Sequence, residues 1–427
     1  MQEVLLRLSD FHESDKKVLK MGCSIISLIV KLEALNTKEE DMKQKWKRLV
    51  LAAAALQCAG WSYAQPGGVV RIGVNQPLTG VVAASGNFVT NGAKIAADEI
   101  NAKGGINGAK IELLIEDNKS NPTEAAAVAE KLIVRDKVPV LLGAWSSTYT
   151  LAVMPKLMEY KVPMLVETSS ADKITTAGNP YVFRISPTNA MEAQNFVQHV
   201  APLKIRKADF LVVNNDWGRG SADAFHAMLK QKGVAIGLTQ TIDAAAQDMS
   251  SQLSSIKATD SDTLFVTTAV EQLTLILKQA QALGIKRQII TLGGSQNPDQ
   301  LISQAGTAAN GTLHDVMFMP WFPENAPDPA TAKAFIAEWK KRGLDPNGLT
   351  EGVRGYDGVR TIAAAVAAAG AADPEKIREA LWKVQLTGLT GKIKFQKVGP
   401  TGKESGQSLP ATYVVRIEGG KLAQVTH

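Results

Sequence analysis

Residues 138–175 read VPVLLGAWSSTYTLAVMPKLMEYKVPMLVETSSADKIT. Val138–Leu142 and Pro163–Val166 are short apolar runs, and each predicts a buried parallel strand, with a helix to about Tyr160 between them. In open α/β sheets, ligands bind in the crevice outside the carboxyl ends of the strands. Hydroxyl side chains follow both runs and therefore mark a candidate binding site: Ser146, Ser147, Thr148, Tyr149 and Thr150 after the first, and Thr168, Ser169 and Ser170 after the second.

The two hydroxyl clusters have two interpretations. A helix N-terminus with free N–H groups, flanked by Ser and Thr hydroxyls, suits a carboxylate or another small anion. The alternative is that Ser147 or Thr148 only caps one helix and that Ser169 or Ser170 only caps another. Both interpretations stay open at this point, although the occurrence of hydroxyls at two neighbouring strand ends favours the binding site.

Length and composition are those of a globular protein with more than one core. The chain has 427 residues, of which 21% are charged and 45% hydrophobic, and this size favours two lobes. Its net charge of +6 is too small to predict nucleic-acid binding. Cys23 and Cys58 both precede residue 65, so the remaining chain can form no disulfide of its own and offers no cysteine nucleophile.

The N-terminal region has the pattern of a secretory signal at residues 42–64. A basic start is followed by the apolar run Leu49–Trp61, and the small residues Ser62 and Ala64 stand at positions −3 and −1 of a cleavage site. The apolar run is shorter than the roughly 20 residues that span a bilayer, although an anchor that is never removed is the alternative. Because a signal begins at a true N-terminus, residues 1–41 are predicted to be an upstream extension from a wrongly chosen start codon.

Strand and helix patterns alternate along the rest of the chain, beginning with a strand, a loop at Gly80–Asn87 and a helix. Alternation of this kind predicts parallel sheets covered by helices and joined by right-handed crossovers. Prolines between residues 320 and 329 then precede three predicted helices without intervening strands, Ala330–Arg342, Tyr356–Ala369 and Pro374–Val384. These helices cannot form a lobe alone, so we expect them to cover the first lobe.

The sequence therefore predicts an α/β fold of two doubly wound lobes hinged around a central ligand cleft. We assign residues 65–188 and 320–405 to lobe 1, and residues 189–319 and 406–427 to lobe 2.

No motif predicts catalysis. The segment DWGRGS at Asp216–Ser221 lacks the third glycine of a dinucleotide-binding loop, and the chain contains no P-loop, G-x-S-x-G or H-E-x-x-H motif. The histidines are scattered singly, and no pair of carboxylates stands out as a general acid and base. We therefore expect a binding protein rather than an enzyme, with no cofactor and no metal site.

Several ordered blocks of the sequence resemble the periplasmic leucine/isoleucine/valine-binding protein family of ABC importers. The likeness extends from about Val69 to Lys421, and it is specific to the family rather than to one ligand. The resemblance implies the periplasmic binding protein type I fold, in which two lobes close on a ligand. Its strongest blocks are Pro77–Gly108, Glu116–Ile133, the opening stretch, Asn215–Gly220 (NDWGRG) and Gly355–Ala365 (GYDGVRTIAAA).

The same resemblance implies roles for individual residues. The first lobe of family members holds the ligand carboxylate through backbone N–H and hydroxyl groups, here at Ser147, Thr168 and Ser170. Trp145 and Ser146 stand beside these positions, as does Ser169 of the second hydroxyl cluster. Trp217 occupies the place of an aromatic residue that covers the ligand from the second lobe.

Departures from the family pattern concern the ligand. Members that bind branched-chain amino acids carry an acidic partner for the ammonium where this chain has Ser295, and aromatic residues where it has Ser85 and Ala269. Ser120 and Ser146 fall where those members have a disulfide.

An ammonium enclosed without a counter-charge costs several kcal/mol. Either another carboxylate serves, with Glu351 and Glu271 as candidates, or the ligand has no ammonium. Two tryptophans near the cleft suit a flat aromatic acid.

We therefore expect a monomeric periplasmic solute-binding protein that passes a small hydrophobic carboxylate to an ABC permease in the inner membrane. The ligand is an aromatic or aliphatic acid, or else a hydrophobic amino acid. The alternatives are a ligand-sensing protein of the same fold that feeds a receptor and, with less support, an α/β enzyme.

Overall fold

The computed structural model describes residues 68–200, 203–293 and 297–425, except for the side chains of residues 199 and 200. The predicted signal peptide at 42–64, the predicted extension at 1–41 and Ser295 lie outside these ranges. No helix within the described ranges combines the length and the apolar character needed to cross a membrane.

Strands and helices alternate through most of the described chain, as parallel α/β lobes require. The strands are β1 (Val69–Gln76), β2 (Lys110–Asp117), β3 (Leu141–Gly143), β4 (Met164–Val166), β5 (Val182–Arg184), β6 (Lys207–Val213), β7 (Ala235–Ile242), β8 (Thr263–Thr267), β9 (Gln288–Thr291), β10 (Leu313–Val316), β11 (Leu386–Gly388), β12 (Gly391–Ile393), β13 (Gln396–Val398), β14 (Ser405–Gln407), β15 (Tyr413–Glu418) and β16 (Lys421–Gln424). The helices are α1 (Ala83–Ala102), α2 (Pro122–Glu130), α3 (Ser147–Tyr160), α4 (Lys173–Thr176), α5 (Asn189–Val200), α6 (Asp216–Gln231), α7 (Ser250–Lys257), α8 (Val270–Ala282), α9 (Pro298–Ala305), α10 (Pro329–Lys341), α11 (Leu349–Ala369) and α12 (Pro374–Leu381).

Two seven-stranded sheets form the centres of the two lobes. The first has the order β13–β14–β5–β4–β3–β1–β2, and the second has the order β16–β15–β10–β9–β8–β6–β7. Strands β1 to β5 pair in parallel in the first sheet, and β6 to β10 pair in parallel in the second. Antiparallel pairs occur at one side of each sheet, where β13 joins β14 and where β15 joins both β10 and β16.

Within the described residues, the backbone passes between the two sheets three times, after β5, after β10 and after β14. The predicted change of lobe between residues 405 and 406 falls inside β14, which pairs with β5 of the first sheet. Helices α10 to α12 return to the first lobe, where Trp339, Tyr356 and Ile377 belong to one hydrophobic core with Ile72 of β1.

Asn121 and Asp373 cap α2 and α12, since both side chains accept backbone N–H groups at the starts of these helices. Two helices begin earlier than predicted: α1 at Ala83 inside the predicted loop Gly80–Asn87, and α11 at Leu349 instead of Tyr356. Both early turns contain glycine, which interrupts the apolar pattern without interrupting the helix.

Glycines allow α1 and α11 to pack with their backbones in contact. A Cβ atom on Gly92 of α1 would lie 1.7 Å from the carbonyl oxygen of Gly352, and one on Gly355 would lie 1.9 Å from the carbonyl oxygen of Val89. These distances are far inside van der Waals contact, so no other residue fits at either position. The lack of a side chain at these glycines therefore permits the close packing that positions α11 against α1.

Candidate functional site

The hydroxyl clusters line a cavity where the two lobes meet. The cavity contains about 340 Å³ of empty space, part of it open to solvent. Seven of the nine predicted site residues line it, and three further residues complete the wall: the first set is Trp145, Ser146, Ser147, Thr168, Ser169, Ser170 and Trp217, and the second is Glu192, Gly293 and Arg354.

The N-terminus of α3 faces this cavity without a side-chain cap of its own. Ser146 occupies the N-cap position, yet its hydroxyl makes no capping bond. Ser147 Oγ accepts a hydrogen bond from the backbone N–H of Ala171 at 3.1 Å, which leaves the Ser147 hydroxyl proton for another acceptor. The first-turn amides and the Ser147 hydroxyl can therefore donate to an anion.

The hydroxyls after β4 hold neighbouring segments together. Ser169 Oγ donates to the carbonyl oxygen of Trp145 at 2.9 Å and lies 2.7 Å from Thr150 Oγ1. Ser170 Oγ donates to Asn189 Oδ1 at 2.8 Å, at the first residue of α5. These protons are committed to protein acceptors, so Ser169 and Ser170 shape the wall of the cavity more than they offer donors to it.

Arg184 at the end of β5 fixes the loop that carries these hydroxyls. Its Nη1 donates to the carbonyl oxygens of Ser169 and Ala171 at 3.1 and 2.8 Å. Its Nε donates to Gln407 Oε1 at 2.7 Å and its Nη2 to Thr175 Oγ1 at 2.8 Å. Burial lowers the pKa of Arg184 to about 10, so the side chain remains charged at neutral pH.

Trp217 enters the cavity from the second lobe over a glycine. A Cβ atom on Gly293 would lie 2.3 Å from Trp217 Cζ2, and Gly293 has φ +85°. Both facts require glycine here, because any side chain would strain the backbone and displace the indole.

Substituting alanine for Gly293 is therefore expected to weaken ligand binding about tenfold, because Trp217 must leave its position in the cavity wall. Calorimetric titration of the best ligand measures the effect. Gly284→Ala is the matched control, since Gly284 also has a positive φ but its added Cβ would meet nothing within 4 Å. Equal affinity in the two variants would contradict this role for Gly293.

Asp216, the first residue of α6, joins the second lobe to the first. Its Oδ2 accepts from the Thr148 hydroxyl at 2.8 Å, and its Oδ1 lies 2.6 Å from Lys173 Nζ. Partial burial raises the pKa of Asp216, but Lys173 and Thr148 together hold it below the usual range. These contacts join the two lobes next to Trp217 in the chain.

The charges at the cavity differ from those expected. Glu351 is fully buried, accepts from Trp145 Nε1 at 3.4 Å and lies 3.5 Å from Arg354 Nε, so its charge is already matched. Glu271 lies outside the cavity lining. The carboxylate that does line the cavity is Glu192 of α5, which the sequence analysis did not single out.

Two predicted contacts are not brought to this cavity. Ser85 is buried in the first turns of α1 and is not part of the lining, and Ser295 lies outside the described residues. Arg354 was missed because the predicted helix began at Tyr356. A Glu-x-x-Arg pair at helical spacing was the signal that could have placed Glu351 and Arg354 on one helical face.

Glu167 lies directly behind Thr168 and is completely buried. Gln76 Nε2 donates to its Oε1 at 2.8 Å. Burial raises the pKa of Glu167 to about 7, although the bond from Gln76 and the positive charge of Arg354 oppose the shift. Because the folded carboxyl group holds its proton more tightly than the unfolded one, its contribution to stability is fully present below about pH 4.5 and is lost as the pH rises through 7.

Glu167→Gln is expected to remove this loss. The neutral amide keeps an acceptor for Gln76, so the variant should gain roughly 2–3 kcal/mol over the wild type between about pH 5 and about pH 8. Urea unfolding at several pH values measures the difference. If the free energies of unfolding of the two proteins changed with pH in the same way across this range, the prediction would be contradicted.

A model of the periplasmic binding protein family matches residues 69–421. A leucine-, isoleucine-, valine-, threonine- and alanine-binding protein of Pseudomonas aeruginosa is 28% identical over 360 residues, which cover 84% of this chain and 94% of the relative.

Solved structures of similar proteins have the same architecture. The branched-chain amino acid transporter substrate-binding protein LivJ of Streptococcus pneumoniae, in complex with isoleucine, is 27% identical with a TM-score of 0.73, and the match covers 83% of this chain and 98% of that one. A solute-binding protein of an ABC transporter from Rhodopseudomonas palustris, in complex with 3,4-dihydroxybenzoic acid, is 26% identical with a TM-score of 0.73, covering 84% and 96%. The predicted α/β fold of two doubly wound lobes is confirmed.

Proposed function

We propose, because this chain belongs to the periplasmic binding protein family, that it is the solute-binding component of an ABC importer and captures a small aromatic carboxylate between its lobes. It reaches the periplasm through the predicted signal peptide, works there as a monomer and delivers the ligand to a permease in the inner membrane. The cleft binds the ligand without changing it chemically.

The observation that carries this proposal is the composition of the cavity wall. Trp145 from the first lobe and Trp217 from the second both line the cavity, so a flat ring can contact an indole of each lobe. The amides at the start of α3 and the Ser147 hydroxyl supply donors for a carboxylate at one end. The dihydroxybenzoate-binding relative supports the same ligand class.

A hydrophobic amino acid is the second candidate ligand. Glu192 brings a buried carboxylate into the lining, where it could face an ammonium group. The names of relatives that bind branched-chain amino acids support this alternative. Arg354 in the same lining opposes it, since a second cation in the cavity repels an ammonium and an ammonium offers a guanidinium no acceptor.

Calorimetric titration of the exported protein with benzoate, phenylacetate, leucine and phenylalanine tests the proposal. We expect saturable binding of the aromatic acids with one site per chain, and weaker or no binding of the amino acids. Tight leucine binding without a response to the acids would show that the ligand is an amino acid. Release of a product from any ligand would contradict the binding function itself.

A further inference from the structure

Arg354 is buried in the cavity wall with hydrogen-bonding capacity to spare. Its side chain is 2% exposed and lines the cavity. Its Nε and Nη2 donate no hydrogen bond to any residue that the structure describes, and an oxygen of its ion-pair partner Glu351 is 3.5 Å from Nε. Arg184, by contrast, uses all three nitrogens on protein acceptors. A buried guanidinium without acceptors is costly, so the Arg354 donors point to an acceptor on the ligand.

Trp145 separates Arg354 from the anion-binding end of the cavity. The Trp145 backbone directly precedes Ser146 and the amides of α3, whereas its indole Nε1 reaches Glu351 Oε2 at 3.4 Å, beside Arg354. A ring lying along this indole with its carboxylate at α3 therefore directs its other end toward Arg354.

The charges around Arg354 determine which chemical group of the ligand can bind there. Glu351 is its ion-pair partner and Glu192 lines the same cavity, while Asp315 and Glu167 also lie within its electrostatic reach. A second carboxylate on the ligand would be attracted by one cation and repelled by several acidic side chains. A hydroxyl group avoids this repulsion, because it accepts from Arg354 and can donate to Glu192 while remaining neutral.

We propose that Arg354 and Glu192 form a specificity subsite that recognises a ring hydroxyl, so that this chain prefers hydroxylated aromatic monocarboxylates over their unsubstituted parents and over aromatic dicarboxylates. This inference rests on the proposed function. A hydrogen bond to a charged group gives the hydroxylated acid an advantage of about ten- to hundredfold in affinity.

The test compares benzoate, 3-hydroxybenzoate, 4-hydroxybenzoate and terephthalate by calorimetry. The quantity measured is the ratio of the benzoate dissociation constant to that of the better hydroxybenzoate. We expect a ratio of at least about 10 in the wild type. In the double variant Arg354→Met/Glu351→Gln the ratio should fall to about 1–3. The double variant removes both members of the ion pair, so neither Arg354 nor Glu351 is left charged without its partner.

Two further variants make the test specific. Glu192→Gln should lower the ratio less than the double variant does, because an amide can still accept a hydrogen bond. Lys333→Gln, at an exposed position of α10, should leave the ratio unchanged.

Each remaining outcome is decisive. A wild-type ratio near 1 with firm benzoate binding would overturn the subsite and leave the proposed function intact. Tighter binding of terephthalate than of either hydroxybenzoate would show that Arg354 binds a second carboxylate of the ligand, which also overturns the subsite. If the double variant lost affinity for all the acids equally, the ligand carboxylate itself would be bound by Arg354, and the assignment of the hydroxyl subsite would be overturned. Failure of every aromatic acid to bind would refute the proposed ligand class together with the subsite.

Discussion

Arg184→Leu is expected to lower the free energy of unfolding by roughly 4 kcal/mol or more and to abolish ligand binding, because it removes the four hydrogen bonds that Arg184 makes around the loop after β4. The guanidinium donates to Gln407, to Thr175 and to the carbonyl oxygens of Ser169 and Ala171, and it is completely buried. Leucine would take one donor away from each of these acceptors in a site that water cannot reach. Each hydrogen bond to a charged group is worth about 1.5–3 kcal/mol, so the sum exceeds the effect of any single contact in the cavity.

Urea unfolding followed by circular dichroism measures the loss of stability, and calorimetry measures binding below the transition. Arg184→Lys should recover little of the loss, since one ammonium cannot reach acceptors spread around a planar guanidinium. Arg135→Leu is the control, because the Arg135 side chain is 67% exposed and pairs only with neighbouring Asp136. A loss below about 1 kcal/mol for Arg184→Leu would show that the loop does not depend on this residue.

The sequence predicted the hydroxyl side of the cavity because its signals are local. Strand ends and the hydroxyls after them lie within a few residues of each other, and the geometry of parallel sheets brings two such ends together. Arg184 was missed because its role depends on partners far along the chain. Arg184 meets Gln407 across 223 positions, for example. Arg184 stands inside the apolar run Val182–Ile185, and a charge within such a run was the signal available for it.

Glycine caused the most consequential error. Gly352 and Gly355 interrupt the apolar pattern before Tyr356, and so the predicted helix began seven residues late. In a single sequence, a glycine that breaks a helix cannot be distinguished from a glycine that lets two helices touch. The contact between α1 and α11 shows that the second case applies here, and this contact places Arg354 at the cavity.

Gly355→Ala is expected to destabilise the protein by roughly 3 kcal/mol, at the upper end of the range for overpacking. The added methyl would lie 1.9 Å from the carbonyl oxygen of Val89 and 2.9 Å from the backbone nitrogen of Ala93. Since both atoms belong to the backbone of α1, no rotamer change can relieve the clash, and the two helices must move apart by roughly 1 Å. The intrinsic preference of a helix for alanine returns at most about 1 kcal/mol.

Gly358→Ala on the same helix separates packing from helix propensity. Its added methyl would meet the Leu142 side chain at 2.6 Å, and a side chain can shift where a backbone cannot, so this variant should lose clearly less stability. Ligand binding gives a second readout, because the displacement in Gly355→Ala also moves the adjacent Arg354. Urea unfolding and calorimetry should therefore rank both properties in the order wild type, Gly358→Ala, Gly355→Ala. The reverse order of the two variants would mean that α1 and α11 can separate freely and that their contact does not position the cavity wall.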